Sequence, residues 1–593
     1  PQSGRVEVSP TFVQYLTYDT LEPARIHPVW TNPADHVSKM PRRPMSLRST
    51  NLAKIRGGDC DVLIVGGGIN GAVSAAALAS RGARVAMVDR GDFAGFTSMQ
   101  SSNLVWGGFK YMENYELALV RHLCVSRNRL IKAYPANLKE IRFLAALDEH
   151  SPYKPWFAGL GSTAYWAIGT FFTKPPKVYS RERLHKAEPA IDMQGVQGGI
   201  EYSDAYVVDN DSRFVFQFVR SALNVGAACA NYVELTNASR DARGWKAHLT
   251  DTDTGETFDC TARVIVNAAG PFVDALNDQL GIESKHQIVY SKGIHLIVPR
   301  IVSNEKVLAF FDDTERLFYV IPMGPRSVIG TTDERVTEAV THVEDEDRDF
   351  LLEQINARLD LPKPLTVDDI ISTRCGVRPL VVEKTDKSHT DTDWTTLSRK
   401  HALEVDPSDS FVTIFGGKIT DCLNIGEEVC AAVTELGVRL DKDRRDWYGE
   451  PPKATAQEFF RQARLMGLDK LRKRASFETL STRLWRRYGM RAFAMLEAIR
   501  DDPTMADEII DGAEYVRVEL FYAAKTEMIT KLDDFLRRRS KISLVLGREV
   551  LQDADGIREA CELLFGDDAD RRFDEYFSAD VREQAAGSPQ GTS

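Results

Sequence analysis

The amino-acid sequence predicts a multidomain α/β protein: a parallel sheet built from separated chain segments, an inserted antiparallel sheet and an all-helical C-terminal domain. Three observations predict this class. A strand, three glycines, a helix and a second strand follow one another between residues 61 and 89. Strands that end in glycines recur near residues 270 and 417, with strand-like alternation between them. Beyond residue 456, almost every segment has helical periodicity.

The glycine-rich segment Asp61–Asp89 (DVLIVGGGINGAVSAAALASRGARVAMVD) is typical of a Rossmann-like dinucleotide-binding unit. Gly66 suits the tight turn from strand to helix, Gly68 lets the backbone approach a pyrophosphate, and Gly71 allows close helix–strand packing. The pyrophosphate would bind the free N–H groups at the helix N-terminus, and Asp89 would accept hydrogen bonds from the ribose. A glycine turn alone needs no ligand, but all these parts in register indicate an adenine dinucleotide.

The composition is that of a globular protein. With 593 residues, 43% of them hydrophobic and 27% charged, the chain has the length for two to four domains. The net charge of −11 argues against a nucleic-acid partner. The eight cysteines are scattered without a CxxC pair, which favours a reducing compartment over disulfides or zinc, so no metal is predicted.

Periodicity and turn signals predict the remaining elements in chain order. They are helix Glu116–Ala133, strand Gly199–Val208, helix Asp209–Ala228, strand-like segments Lys246–Cys260 and Ile288–Ile329, buried strands Arg263–Val266 and Phe411–Ile414, and helix Asp421–Leu436. The helical stretches of the C-terminal part are Glu458–Met466, Phe477–Arg500, Asp507–Glu519 and Tyr522–Arg539.

These elements predict the domain boundaries. The parts are an irregular N-terminal extension (1–58), a dinucleotide-binding domain (59–440, from about 59–150, 195–285 and 370–440), a substrate domain inserted in it (about 151–194 and 286–369), a linker (441–455) and a helical C-terminal domain (456–593).

Two segments raise the question of membrane contact. Pro155–Thr173 is uncharged and lies between Lys154 and Lys174. It is interpreted as a buried or capped helix, as an aromatic-rich surface in the lipid interface, or as a membrane span, although its glycines and hydroxyl residues make it only weakly hydrophobic. Phe459–Arg500 contains eleven Arg or Lys residues and three acidic residues. It is either a helix face paired with acidic neighbours or a surface for anionic headgroups.

Nine ordered sequence blocks resemble one known family. They are VGGGINGA, SSNLVWGGFKYMENYE, GIEYSDAYVVD, VNAAGPFVD, KGIHLIVPR, IGTTDE, GVRPL, LSRKHAL and FGGKIT. Together they closely resemble the FAD-dependent (respiratory, quinone-linked) glycerol-3-phosphate dehydrogenases over roughly residues 59–425, and more weakly over the helical C-terminal domain. The resemblance implies oxidation of sn-glycerol 3-phosphate to dihydroxyacetone phosphate. Hydride would pass from C2 to flavin N5, and the electrons would pass to a membrane quinone.

The resemblance also implies roles at the substrate. His295 in KGIHLIVPR corresponds to an active-site histidine, whose neutral imidazole can accept the C2 hydroxyl proton. Arginine suits the substrate phosphate because its planar fork holds oxygens bidentately. The residues with implied catalytic roles are His295, Arg378 and Lys418; those implied to bind the substrate are Lys110, Tyr111, Arg378, Arg399 and Lys418.

FAD is the implied cofactor, and we expect it to bind without a covalent bond. The segment Gly416–Thr420 opens a predicted helix, whose N-terminal N–H groups can stabilise charge on the reduced flavin. The expected FAD-binding residues are Gly66, Gly68, Asn70, Gly71, Asp89, Arg90, Ser98, Ser101, Ser102, Trp106, Gly107, Gly108, Ala268, Gly270, Gly417, Lys418 and Thr420.

The chain departs from the family pattern at two positions near the expected substrate site. Trp106 replaces a histidine and Lys110 an arginine, so that Lys110 keeps the charge without the bidentate fork. These two changes motivate one alternative, a dehydrogenase of another hydroxy acid or polyol phosphate. Two further alternatives stay open: an oxidase that reduces oxygen and a non-catalytic flavin-binding scaffold. The expected location is cytoplasmic, peripheral on the inner face of the cell membrane, and a homodimer is a further expectation.

Overall fold

A computed structural model describes residues 46–578, apart from residues 114, 150, 303, 313–315, 385–399, 442, 445 and 472–477. The helices are α1 (Leu47–Ile55), α2 (Ile69–Ser80), α3 (Leu117–Ala133), α4 (Pro155–Ile168), α5 (Arg181–Ala187), α6 (Asp211–Asn224), α7 (Val273–Leu280), α8 (Asp345–Asn356), α9 (Cys422–Glu435), α10 (Lys453–Leu465), α11 (Leu480–Tyr488), α12 (Ala492–Asp501), α13 (Arg517–Thr526), α14 (Ile542–Leu546), α15 (Arg548–Gln552), α16 (Asp555–Phe565) and α17 (Ala569–Ser578).

The strands belong to two sheets. They are β1 (Asp59–Val65), β2 (Val85–Val88), β3 (Leu104–Val105), β4 (Leu138–Leu147), β5 (Lys177–Ser180), β6 (Gly198–Val207), β7 (Ala228–Ala230), β8 (Val233–Asp241), β9 (Gly244–Asp251), β10 (Thr257–Asn267), β11 (His286–Pro299), β12 (Val307–Phe311), β13 (Leu317–Met323), β14 (Arg326–Gly330), β15 (Glu334–Val336), β16 (Ser372–Glu383), β17 (Ala402–Asp406) and β18 (Phe411–Phe415).

The first sheet is mainly parallel, with strand order β17–β18–β10–β1–β2–β7 and a β8–β9 hairpin paired to β10. Strands β18, β10, β1, β2 and β7 run parallel, and β17 is antiparallel to β18. Helix α2 packs between α6 and α9 against this sheet. Because the central strands are covered on both faces, Val62, Leu63 and Ile64 are fully buried. The predicted α/β class is therefore confirmed.

The second sheet is mainly antiparallel, with strand order β15–β11–β14–β13–β12–β4–β6–β3; β16 pairs with β11 and β5 with β6. It includes β3, β4, β6 and β16, which come from segments that the sequence prediction placed in the dinucleotide-binding domain. Side-chain alternation identifies a strand but not its partner, because pairing depends on distant parts of the chain. The domain boundaries themselves stay predictions.

The register between β11 and β16 places several chemically important residues on one sheet face. His295 lies opposite Arg374, and Ser291 lies opposite Arg378. Cross-strand neighbours present their side chains on the same side of a sheet. The loop after residue 96 covers this strand pair, since Thr97 Oγ1 donates to the Val377 carbonyl oxygen at 2.7 Å.

The N-terminal prediction is partly wrong. Residues 1–45 of the predicted irregular extension lie outside the described residues, but Leu47–Ile55 form helix α1. Ser46 caps this helix, because its hydroxyl oxygen accepts a hydrogen bond from the Ser49 N–H. Arg48 in the helix pairs with Asp251 at 2.9 Å.

The described C-terminal region is mainly helical, but predicted helices are interrupted. Tyr522–Arg539 is broken between Glu527 and Lys531, where Met528 has a φ of 50°, and Phe477–Arg500 contains the 3₁₀ turn Gly489–Arg491. Within the predicted helix Asp507–Glu519, the structure has turns, an isolated bridge between Glu508 and Val516, and a helix that begins only at Arg517. Gly512 and Glu514 have positive φ values of 78° and 59°, which interrupt a helix. Periodicity alone did not reveal this break.

Candidate functional site

The turn from β1 to α2 leaves no room for side chains. Gly66 has a φ of 105°, and a Cβ there would lie 2.5 Å from the Ala268 carbonyl oxygen. A Cβ at Gly71 would lie 1.8 Å from the Gly66 carbonyl oxygen. Glycine is therefore required at both positions, and the N-terminus of α2 presents backbone N–H groups and the positive end of the helix dipole.

An open cleft of about 1060 Å³, which includes space open to solvent, lies at the carboxyl ends of β1 and β10. Ligands of open α/β sheets bind in such a position. The expected FAD-binding residues that line it are Gly66, Gly68, Asn70, Asp89, Arg90, Ser98, Ala268, Gly270 and Gly417. Those that are not among its lining residues are Gly71, Ser101, Ser102, Trp106, Gly107, Gly108, Lys418 and Thr420.

Aromatic residues at the cleft were missed at the sequence level. The Arg90 guanidinium lies 4.0 Å from the centre of the Phe272 ring, and the rings of Phe96 and Phe272 pack edge to face at 5.0 Å. Phe272 directly follows the glycine-punctuated strand end at Gly270, so its proximity to that turn was the available signal. No local sequence motif indicated that Phe96 would line the cleft.

Asp89 directly follows β2 and lines the cleft. Its carboxylate accepts hydrogen bonds from the Gly67 N–H at 2.6 Å and the Gly91 N–H at 2.8 Å. Burial raises the pKa of Asp89 to about 6 even though both N–H groups act to lower it. The carboxylate is thus fixed at the cleft by backbone contacts, and each of its oxygens has further acceptor capacity.

Gly416 and Gly417 bring a second strand end to the same cleft. Gly417 has a φ of 108°, and a Cβ there would lie 2.7 Å from Asn70 Oδ1. The Asn70 amide donates to the Gly416 carbonyl oxygen at 2.7 Å, which ties the start of α2 to this turn. A short 3₁₀ turn and helix α9 follow, as the sequence predicted.

Lys418 and Tyr111 form a pair at the edge of this turn. Lys418 Nζ donates to the Tyr111 hydroxyl at 2.8 Å and lies 4.6 Å from the centre of its ring. The Trp106 ring lies 5.7 Å from the Tyr111 ring, and Thr420 donates to the Trp106 carbonyl oxygen at 3.2 Å. Lys110 belongs to the same 3₁₀ turn as Tyr111. The structure therefore brings these predicted residues together.

The Gly107–Gly108 segment is held from beneath by buried groups. Asp204 accepts a hydrogen bond from the Gly107 N–H at 3.0 Å and one from the Tyr165 hydroxyl at 2.8 Å. Arg127 forms an ion pair with the same carboxylate. Local sequence patterns do not predict this contact, because Asp204 lies 97 residues from Gly107.

His295 lies on β11 and is 2% exposed. Neither ring nitrogen has a hydrogen-bond partner among the described residues. Burial, with smaller contributions from Arg374 and Arg378, holds the pKa of His295 well below its usual range. The ring is therefore neutral at physiological pH and can accept a proton.

Arg378 is fixed by the neighbouring IGTTDE turn. Its guanidinium pairs with Asp333 at 3.1 Å and donates to the Thr331 hydroxyl at 2.7 Å. Its register position places it on the same sheet face as His295. Arg399, the other predicted substrate arginine, lies outside the described residues.

Ser101 and Ser102 lie in the loop that covers β16. Ser101 donates its N–H at 3.0 Å and its hydroxyl at 2.9 Å to Asp211. Ser102 is half-buried next to it. Asp211 at the start of α6 was missed at the sequence level, because an acidic residue in a first helical turn is common without any such contact.

The uncharged aromatic segment forms helix α4, which is only partly buried. Trp156, Phe157 and Leu160 are 63%, 50% and 61% exposed, whereas Tyr165 is buried. The exposure favours the surface interpretation over a buried helix. Over the residues that the structure describes, no helix has the length and apolar character needed to cross a membrane.

Part of the basic C-terminal segment is buried and paired with acidic residues. Arg487 on α11 pairs with Asp209 and Glu519, each at 2.8 Å, and Arg486 pairs with Glu478. These arginines are buried, so they present no surface to headgroups. For these arginines the structure agrees with the first of the two interpretations, in which they pair with acidic neighbours.

Two family models match the chain. The model described as FAD dependent oxidoreductase matches residues 61–393, which is more than half of the chain. The model described as the C-terminal domain of alpha-glycerophosphate oxidase matches residues 454–572.

Individual proteins are similar over most of the chain. A glycerol-3-phosphate dehydrogenase from Pseudomonas tolaasii is 30% identical over 508 residues, 84% of this chain and 94% of its own. A D-erythritol 1-phosphate dehydrogenase from Brucella abortus is 31% identical over 378 residues, 62% of this chain and 72% of its own. The crystal structure of a glycerol-3-phosphate dehydrogenase from Bacillus halodurans, complexed with FAD, has a TM-score of 0.65 at 22% identity, and the match covers 92% of this chain and 99% of that chain.

Proposed function

Since the chain belongs to the FAD-dependent glycerol-3-phosphate dehydrogenase family of oxidoreductases, we propose that it oxidises sn-glycerol 3-phosphate to dihydroxyacetone phosphate and passes the electrons to a membrane quinone. The observation that carries the proposal is a neutral, buried histidine on the strand pair that also bears Arg378. A dinucleotide-shaped cleft built from glycine turns accompanies it.

The residues present at the cleft fit FAD. A Cβ at Gly66 or Gly417 would collide with atoms less than 3 Å away, so both turns expose bare backbone where a pyrophosphate needs close approach. Gly66, Gly68 and the first N–H groups of α2 would hold the pyrophosphate, and Asp89 the ribose. When bound, FAD supplies the redox chemistry by taking up the hydride that leaves C2 of the alcohol.

His295 would remove the hydroxyl proton. A general base must be unprotonated and must have a free lone pair. Burial keeps the pKa of His295 low, and both of its ring nitrogens lack partners among the described residues. Loss of the proton makes the C2 hydride easier to release, since the electron pair of the O–H bond can then form the ketone.

Cationic groups would hold the substrate phosphate. Lys418 lies beside Tyr111, whose hydroxyl can orient a substrate oxygen. Lys110 lies on the same turn as Tyr111. Arg378 would contribute its guanidinium charge from the same sheet face as His295. Arg399 completes the proposed set from outside the described residues.

Helix α4 would contact the membrane that contains the quinone. Its exposed aromatic and aliphatic side chains are flanked by exposed Lys154, Lys174 and Lys177. Apolar side chains that enter the lipid interface, with lysines at the headgroups, are the usual features of a peripheral membrane surface. We propose that the protein is cytoplasmic and binds the inner face of the cell membrane peripherally through this helix.

A longer polyol phosphate is the second candidate substrate. The similarity to a D-erythritol 1-phosphate dehydrogenase favours it, and Trp106 beside Tyr111 changes the shape of the expected substrate region. An oxygen acceptor is the second candidate for the electrons, because the C-terminal region matches a model named for an oxidase.

Initial rates with the FAD-loaded protein test both choices. We expect the highest kcat/KM with glycerol 3-phosphate among glycerol 3-phosphate, erythritol 1-phosphate and phosphate-free glycerol. We also expect reduction of a soluble quinone without stoichiometric hydrogen peroxide. Preference for erythritol 1-phosphate, or one peroxide per product, would replace the corresponding part of the proposal.

A further inference from the structure

Arg374 on β16 lies beneath the loop that contains Ser101. Its Nη1 donates to the Ser101 carbonyl oxygen and, at 2.9 Å, to Asn103 Oδ1. The side chain is 1% exposed and stands next to His295, its cross-strand neighbour. Its Nε and Nη2 have no hydrogen-bond partner within the described part of the chain.

Arg537 reaches the same loop from the C-terminal region. It lies in the π-helical turn Asp534–Arg539, and its Nη2 donates to the Met99 carbonyl oxygen and, at 3.3 Å, to Gln100 Oε1. The residue is 6% exposed. Its Nη1 is the third guanidinium nitrogen here that lacks a partner among residues that the structure describes.

The two arginines leave a surplus of positive charge. Burial, and after it the charge of Arg374, lowers the pKa of Arg537 to about 10, so the two guanidinium groups act on each other. Asp211 faces them, but its oxygens already accept from serine N–H and O–H groups. Asp533 is paired with Arg538, which also pairs with Asp92 and Asp534. Among the described residues, Arg374 and Arg537 thus face one carboxylate that no other arginine pairs with, Asp211.

A water molecule would satisfy the donors but not the charge. Buried N–H groups of arginine without partners are rare, and an uncompensated buried charge is strongly unfavourable. A tetrahedral oxyanion supplies both several acceptor oxygens and negative charge, and the planar fork of arginine matches its geometry.

We propose that Arg374 and Arg537 form a buried binding site for one phosphate-class oxyanion. The site is separate from Arg378, whose guanidinium is held by Asp333. The oxyanion comes either from the phosphate group of the substrate, in which case these two arginines replace the cationic groups proposed above for that phosphate, or from free inorganic phosphate that stabilises the loop. Only the first source rests on the proposed function; the site itself does not.

Thermal unfolding of the full-length, FAD-loaded protein tests the site. At constant ionic strength, 20 mM inorganic phosphate in place of chloride should raise the unfolding midpoint by about 2 °C, because a ligand of the folded state stabilises it by mass action. The shift should vanish in Arg374→Met and Arg537→Met. It should persist in Arg326→Met, which removes a half-buried arginine that donates to the Val545 carbonyl oxygen elsewhere.

Two further measurements keep the test decisive if a methionine variant fails to fold. Arg374→Lys and Arg537→Lys retain the charge without the fork and should reduce the phosphate shift at least twofold. Crystals soaked in selenate should give an anomalous peak between the two guanidinium groups. The proposed site is wrong if inorganic phosphate raises the unfolding midpoint equally in wild type and all variants. It is also wrong if selenate-soaked crystals show no anomalous peak between the two guanidinium groups.

Steady-state kinetics separates the two sources. If the substrate phosphate binds here, inorganic phosphate competes with glycerol 3-phosphate, and Arg374→Lys raises KM about tenfold with little change in kcat. If free phosphate binds here, it raises the unfolding midpoint without competing. Both results support the site. Unfolding and crystal soaking need no turnover, so a failed site leaves the proposed oxidation standing, and an inactive protein that still binds phosphate refutes only the oxidation.

Discussion

His295 combines two properties that are seldom found together in one buried side chain. Its ring nitrogens have no partners among the described residues, and its charged form is disfavoured by burial and by two arginines. An unperturbed histidine has a pKa of about 6.5 and would be partly protonated just below neutral pH. In this environment the imidazole stays neutral at pH values where an exposed histidine is already protonated.

The first prediction concerns the pH dependence of turnover. Because the pKa of His295 is lowered, the acid limb of kcat/KM should lie below pH 6.5, with no loss between pH 7.5 and 6.5. His295→Gln should lower kcat by about 100-fold or more with FAD retained. Rate measurements from pH 5 to 9 check both. An acid limb centred at pH 7 or above, or a fully active variant, excludes His295 as the base.

The lowered pKa of His295 also makes the free energy of unfolding depend on pH. Below about pH 6.5 the unfolded chain binds a proton at this histidine and the folded protein does not. His295 therefore makes the folded state progressively less stable as the pH falls through that range.

The roles of individual residues were predictable from the sequence where a local motif determines them. Gly66 and Asp89 follow from spacing within one strand–helix–strand unit, and both line the cleft. Asp204, Asp211 and Arg374 were not predictable, because each contacts a loop that is distant along the chain. Their roles depend on tertiary packing rather than on local pattern.

Among the elements, the β1–α2 turn places the strictest demands on the sequence. Gly66→Ala should unfold the turn and abolish FAD binding, because the added Cβ would lie 2.5 Å from a carbonyl oxygen. Gly82→Ala is the matched control: Gly82 also has a positive φ, 86°, but a Cβ there meets nothing within 4 Å. The control should cost only about 1 kcal/mol and retain FAD. Visible absorbance of the purified proteins distinguishes them; equal FAD content in both would contradict the account.

Helix α4 allows a prediction about membrane contact. Trp156→Ser combined with Leu160→Ser should weaken binding to anionic liposomes at low salt at least tenfold, since two exposed apolar side chains are lost. Leu465→Ser, which removes a 74% exposed leucine from α10, should leave binding unchanged. Liposome co-sedimentation measures both. Equal binding of the double variant and wild type would remove α4 from the contact surface.

Sequence periodicity predicted most elements but not their partners. The alternation at β4, β6 and β16 identified extended segments, while their membership of the antiparallel sheet depends on pairing across more than 50 residues. The break near Gly512 likewise depends on backbone conformations that helical periodicity does not encode.

At the scale of the whole molecule, buried ion pairs join the C-terminal region to the parallel sheet. Arg539 donates to both oxygens of Asp92 at 2.7 and 2.8 Å, and Arg538 donates to the same carboxylate at 2.9 Å. Although burial alone would raise it, the two arginines hold the pKa of Asp92 below its usual range. Asp92 follows Asp89 by three residues. The same short segment therefore lines the cleft through Asp89 and binds the C-terminal region through Asp92.

Removal of this carboxylate charge should destabilise the protein. Asp92→Asn removes the carboxylate that pairs with buried Arg539 and one of the three that pair with buried Arg538, and should lower the free energy of unfolding by about 3–5 kcal/mol. The wild-type contribution is present above the unfolded pKa of about 4 and is lost as the pH falls through the lower folded value, so the difference should narrow in acid. Urea unfolding at pH 7 and at about pH 2.5 checks this. Asp241→Asn, at an exposed aspartate, should change stability little; equal stability of Asp92→Asn and wild type would contradict the structural role.

The fold class and the glycine cleft were predictable because they rest on local chain order, whereas the attachment of the C-terminal region was not. The arginine-rich run Arg537–Arg539 reads as a charged surface by composition, yet all three side chains are buried in the structure. Only the distant carboxylates and loop carbonyls that they contact explain this.

The most direct test of the central claim is anaerobic addition of glycerol 3-phosphate to the purified yellow protein, followed by absorbance near 450 nm. Wild-type protein should lose its flavin absorbance rapidly, and His295→Gln should lose it at a rate at least 100-fold lower at equal FAD content. Wild-type protein that holds FAD and keeps its absorbance with glycerol 3-phosphate and with erythritol 1-phosphate would contradict the proposed oxidation.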